Sequence, residues 1–139
     1  MKVKLQRIDD AFNMEATDDA GHKVLMDAGE SAGGKGNGVR PMQMLLMGLG
    51  GCSAIDVAMI LKKQRQEVTD FRIEIAGERE KEKEPALWED VHLVFHLAGN
   101  IDPDKAERAV ELSMNKYCSV AETLRQGKTN LSWEVKLNQ

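Results

Sequence analysis

The segment from Pro41 to Arg65, PMQMLLMGLGGCSAIDVAMILKKQR, constrains the fold more than any other part of the chain. Leu45, Leu46, Leu49, Cys52, Ile55, Met59 and Ile60 recur mostly at helical intervals, and Pro41 suits a first helical position, where its missing N–H costs nothing. Lys62, Lys63 and Arg65 suit the negative end of a helix dipole. Such a helix runs roughly 35–40 Å, about the width of a small domain. Because it is apolar on almost every side, it is expected to be buried, with the other elements wrapped around it. Gly50 to Ala54 put five small residues at its middle, and Gly48, Gly51 and Ala54 form a smooth face. A glycine costs about 1 kcal/mol relative to alanine in a helix interior, so close approach of another helix or backbone is expected there.

The run from Met44 to Leu61 approaches the length of a membrane span. Asp56 inside the run, the central glycines and a polar remainder favour a soluble domain, since an intramembrane carboxylate is costly. The N-terminus, MKVKLQRIDDAF, lacks the apolar run and cleavage site of a signal peptide, which predicts a cytoplasmic protein without a membrane partner. A chain of 139 residues fits one domain, 1–139. With 19 basic against 23 acidic residues, no basic stripe and 4% aromatics, it lacks a nucleic-acid footprint.

Along the rest of the chain, Val3, Leu5, Phe12, Met14, Ala16, Val24 and Met26 alternate in bursts separated by Asp9-Asp10 and Asp18-Asp19-Ala20-Gly21, predicting a meander of two or three antiparallel strands. Residues 28–39 hold five glycines and read as a flexible surface loop, with a mobile flap as the alternative; Gly34-Lys35-Gly36 does not match a phosphate-binding loop. Val68 to Ala76 and Val91 to Leu97 alternate as paired strands, with His92 and His96 on one solvent-facing side. Asp102 is the expected N-cap of a helix with Pro103 at its first position, and Leu131 to Leu137 closes the chain as a strand.

Two cysteines, three scattered histidines and no CxxC spacing make neither a disulfide framework nor a zinc site. They leave two inert core thiols or a redox pair. Cys118 precedes Ser119-Val120-Ala121-Glu122, where Ser119 is the expected cap and Glu122 its capping-box partner, with Gly127 as the terminating residue. A thiol at that helix N-terminus is favoured as thiolate. Cys52, in mid-helix, has no such help and needs a nearby cation or hydrogen-bond donors.

The two cysteine neighbourhoods and the order of elements resemble the OsmC/Ohr family of organic hydroperoxide reductases over nearly the whole chain. The strongest matches are Pro41 to Cys52 and Ser119 to Gly127 after Cys118, and the Gly-Leu-Gly-Gly-Cys run looks most like the YhfA-type branch. The resemblance implies an α+β, OsmC-like fold in which curved antiparallel sheets wrap a long central buried helix, assembled as an intertwined homodimer with two interface sites. It implies an organic hydroperoxide as substrate, with Cys52 as the peroxidatic residue that becomes a sulfenic acid and Cys118 as the resolving residue that forms the disulfide. A dithiol reductant, lipoyl-linked in some members, then restores the pair without metal, flavin or haem. The better-known members carry Asn-Pro-Glu-Gln before the cysteine and an arginine in the first hairpin; here the motif reads Arg40-Pro41-Met42-Gln43 and the hairpin turn has no arginine. Arg40 is the candidate replacement cation, Gln43 its polar partner, and Met42 and Leu49, with Leu45, Met44 and Met47, candidate linings of an apolar pocket. The alternative implied function is a non-peroxidase dimer that binds an apolar small molecule in the interface pocket.

Overall fold

The computed structural model describes residues 1–139 and is α+β, with six strands in two three-stranded sheets and three α-helices. The chain divides into two compact units, Met1–Leu45 and Leu46–Gln139.

In the first unit, β1 (Val3–Arg7), β2 (Met14–Asp18) and β3 (Lys23–Met26) form the expected antiparallel meander. Its turns are held by aspartates: Asp9 Oδ1 accepts from the N–H groups of Ala11 and Asn13, and Asp18 Oδ1 from those of Ala20 and His22. The glycine-rich stretch is tied at its base. The buried Asp27 carboxylate accepts from the N–H groups of Ala28 (2.8 Å) and Asn37 (3.0 Å), and the Val39 N–H donates to Leu25 O at 3.0 Å. A Cβ on Gly34 would sit 2.1 Å from the Ala28 carbonyl oxygen, and one on Gly38 2.7 Å from Leu25 backbone. These glycines therefore serve close packing, and the loop is a folded piece instead of the open strand of chain its composition suggested.

The helix α1 (Pro41–Lys63) leads into the second unit. It ends two residues before the predicted boundary, because Arg65 turns to a φ of 56°. Leu49, Ser53, Val57 and Leu61 are buried as an i, i+4 stripe, and the Ser53 hydroxyl is satisfied by donating to Leu49 O at 2.8 Å. Burial on all sides, expected from the composition, is not reached within one chain: Met47, Ile55 and Met59 are 51%, 63% and 54% exposed. Of the central glycines only Gly50 meets a close neighbour, where a Cβ would lie 2.9 Å from Ile75 Cδ1; Gly48 and Gly51 face open space. By length and composition alone this helix is long and apolar enough to cross a membrane.

β4 (Glu67–Arg79) and β5 (Trp88–Asn100) form a long antiparallel hairpin. Val91, Leu93, Phe95 and Leu97 point inward, each at most 2% exposed, and the Phe71 and Phe95 rings stack at 6.5 Å. His92 and His96 share the other face as predicted, but the His96 side chain is only 13% exposed, covered beside Glu74 at 3.3 Å. After α2 (Pro103–Leu112), a π-helical turn (Ser113–Tyr117) and α3 (Ser119–Gln126), β6 (Asn130–Leu137) pairs with β5 in parallel, from Asp90↔Asn130 to Leu97↔Leu137. Alternation identified this strand but carried no direction. The helical connection returns the chain to the start of β5, so the second sheet is mixed and not antiparallel throughout.

Candidate redox site

α2 begins where predicted, with the Asp102 carboxylate accepting from the N–H groups of Asp104 (2.9 Å) and Lys105 (3.3 Å). Its buried stripe, Ala106, Ala109 and Val110, continues through Ser113 and Met114, so the helix is anchored up to the point where its geometry changes. There the Cys118 N–H reaches back five residues to Ser113 O at 2.8 Å. π-turns of this kind are rare and are frequent at functional sites. The turn leaves Cys118 extended (φ −73°, ψ 103°), and Cys118 itself caps α3, its Sγ accepting from the Ala121 N–H at 3.4 Å. The predicted Ser119–Glu122 capping box does not form, because Ser119 is already inside the helix and Glu122 accepts from Gln126. The left-handed residue after α3 is Lys128 (φ 68°), not Gly127 (φ −78°).

Cys118 is buried and Cys52 half-buried, and their sulfurs converge. Cys52 Sγ, Cys118 Sγ and a carboxylate oxygen of Asp56 all lie within 4.8 Å of one another. The Cys52–Asp56 pair follows from one turn of α1, since residues four apart share a helix face. Asp56 is oriented by Ser113, whose hydroxyl donates to Oδ2 at 3.0 Å. Two elements thus hold three reactive groups, and the π-turn presents both Ser113 and Cys118 to α1.

The electrostatics reverse the expectation for Cys118. The helix N-terminus does act on it through the Ala121 N–H, which favours thiolate. Burial outweighs that donor, and the Cys52 sulfur and Asp56 charge add to the burial, so the Cys118 thiol is pushed up to about 11. At neutral pH it is a protonated thiol.

Asp56 is the member of this cluster that sequence reasoning passed over. It entered only as a charge unsuited to a membrane, although its i+4 spacing from Cys52 was readable. It also lines a pocket of about 440 Å³ with Met59, Ile60, Lys63, Leu112 and Tyr117. The sequence directed attention to residues before Cys52, whereas this pocket lies after it. Leu49 is fully buried in the core of the second unit. Arg40, Met42 and Gln43 belong to the first unit, where Gln43 Oε1 accepts from the Arg40 N–H at 3.0 Å and the Arg40 guanidinium lies against Gly29.

A sequence model described as OsmC-like protein matches residues 34–134, which includes both cysteines and Asp56. The chain belongs to the OsmC-like family. It is 47% identical to protein YhfA of Escherichia coli K12 over 103 residues, covering 73% of each chain. Among solved structures, this OsmC-like chain is similar to a hypothetical protein from Aquifex aeolicus, at 36% identity and a TM-score of 0.81 over 99% of this chain and 97% of the other. The organic hydroperoxide resistance protein OhrB of Bacillus subtilis shares the fold, at 24% identity and a TM-score of 0.68 over 97% and 96% of the two chains.

Proposed function

We propose that this OsmC-like protein is a thiol-dependent peroxidase that reduces organic hydroperoxides through Cys52 and Cys118. The observation that carries the reading is the convergence of the two sulfurs, supplied by the middle of one helix and the N-cap of another. The half-buried Cys52 is accessible enough to meet a substrate; the buried Cys118 is not. Cys52 thiolate attacks the hydroperoxide O–O bond, becomes a sulfenic acid and releases an alcohol. Cys118 then displaces the sulfenic oxygen as water and closes a disulfide, which an external dithiol of the lipoyl type reopens. The route uses no metal or organic cofactor.

The working form in this reading is a cytoplasmic homodimer. Support comes from α1, whose open glycine face and exposed Met47, Ile55 and Met59 require a cover. A second reading, an apolar small-molecule binder, draws on the pocket formed by Met59, Ile60, Leu112 and Tyr117.

The reduced protein mixed with cumene hydroperoxide and dihydrolipoamide separates the two. The peroxidase reading expects peroxide loss at many times the rate of free thiol, with a Cys52–Cys118 disulfide detected by intact mass. Peroxide loss no faster than free thiol, with both cysteines left reduced, sinks it.

A further inference from the structure

The peroxidase reading leaves one chemical step without an agent. For a disulfide to form, the Cys118 thiol must lose its proton while the oxygen bound to Cys52 gains one. Burial opposes the first event, and the nearest helix N–H is already spent on the sulfur without making it acidic. The Asp56 carboxylate does approach the sulfurs: one of its oxygens lies within 4.8 Å of both. The Ser113 hydroxyl holds this carboxylate in place by donating to its Oδ2 at 3.0 Å. A carboxylate beside two thiols destabilises their anions, so it is a poor choice for a site that needs only thiolates. It suits a site that must move a proton from one sulfur to a leaving group on the other.

We propose that Asp56 is the proton-transfer residue of the disulfide-forming step, accepting the Cys118 thiol proton and delivering it to the hydroxide that leaves Cys52. The proposal rests on the peroxidase reading above. The Cys118 S–H bond breaks as its sulfur electron pair forms the S–S bond, and the Cys52 S–O bond breaks in the same displacement. The departing hydroxide takes the proton held by Asp56 and leaves as water, so Asp56 ends as the carboxylate it began as. The oxidising equivalents come from the organic hydroperoxide of the preceding step. Ser113 is a positioning residue, holding the carboxylate beside the two sulfurs.

The test follows the two steps separately in one stopped-flow experiment, with cumene hydroperoxide as oxidant, a dimedone-type trap for sulfenic acid and intact mass for the disulfide. In Asp56→Asn the sulfenic acid is expected to form and to persist, while disulfide closure slows by about 100-fold, the usual scale of a lost proton-transfer group. Asp56→Glu is expected to recover much of that rate, and added formate to restore closure in Asp56→Ala. Disulfide closure at the wild-type rate in Asp56→Asn overturns the proposal. So does a loss of closure in Asp56→Asn, Asp56→Glu and Asp56→Ala alike without rescue, which marks a purely structural carboxylate. A wild-type protein that forms neither sulfenic acid nor disulfide defeats the peroxidase reading itself, a result distinct from the other two.

Discussion

Cys52 and Cys118 meet at one point but are built in opposite ways. Cys52 stands in the middle of α1 among glycines, half-buried, on a helix face that one chain leaves uncovered. Cys118 stands at the N-cap of α3, buried, tied through its sulfur to the Ala121 N–H and through its own N–H to Ser113 O. A helix start normally acidifies a thiol and a mid-helix position does not. Here burial reverses that rule for Cys118, so position in a helix alone does not say which thiol is the nucleophile. In the peroxidase proposed above, accessibility assigns the roles: the reachable sulfur meets the oxidant and the enclosed one is the resolver.

The sharpest way to break this contrast is to remove each sulfur in turn. Cys52→Ser is expected to reduce peroxide consumption to the level of buffer. Cys118→Ser should retain one rapid equivalent per chain and then stall with a trappable sulfenic acid; equal losses in both variants would erase the distinction. Next in size is the cover over the Cys52 side of α1. Gly51→Leu places a side chain in open space within the chain, so the monomer should fold with unchanged circular dichroism while light scattering shows the dimer lost. A dimer that survives would place the interface elsewhere.

The third test is pH. With the Cys118 thiol raised to about 11, its thiolate fraction climbs about tenfold per pH unit from neutrality up to that point. Its alkylation, followed by peptide mass with a small reagent, should rise on that slope through pH 9 without a plateau. A plateau near pH 8 would mean that the helix N-terminus wins over burial. The smallest expected effect comes from Ser113→Ala. It removes the 3.0 Å bond to Asp56, worth about 1 kcal/mol, and should slow disulfide closure roughly fivefold while sparing sulfenic acid formation.

Much of this architecture was legible wherever a local rule decides the outcome. Asp102 with Pro103 specified a helix start, the alternation of Val91 to Leu97 specified an inward face, and the Asp18 to Gly21 turn specified a hairpin. The rest depends on partners distant in sequence. The direction of β6 is set by the path of α2 and α3, not by its own residues. The capping role of Cys118 depends on a π-turn that has no periodic signature, and so the better sequence candidate, Ser119, was displaced. Asp56 was legible as the i+4 neighbour of Cys52. Its meaning appeared only when Ser113 and Cys118 were brought to the same place. The burial of α1 was overestimated because composition cannot say how much of a helix one chain covers.

The π-turn also makes chain length a functional variable. Ser113 to Tyr117 accommodates one residue more than a regular helical turn, and the two groups it aims at α1 flank that surplus. Loss of a single residue from Asn115 to Tyr117 would restore α-helical phase and rotate everything downstream by about 100°. Cys118 would then leave Cys52 and Asp56 with every side chain still present. In the 80–87 connection, by contrast, a one-residue change is absorbed by a surface turn. Insertions and deletions are therefore a harsher filter than substitutions at this joint, and relatives can be sorted by whether they keep its length as well as its cysteine.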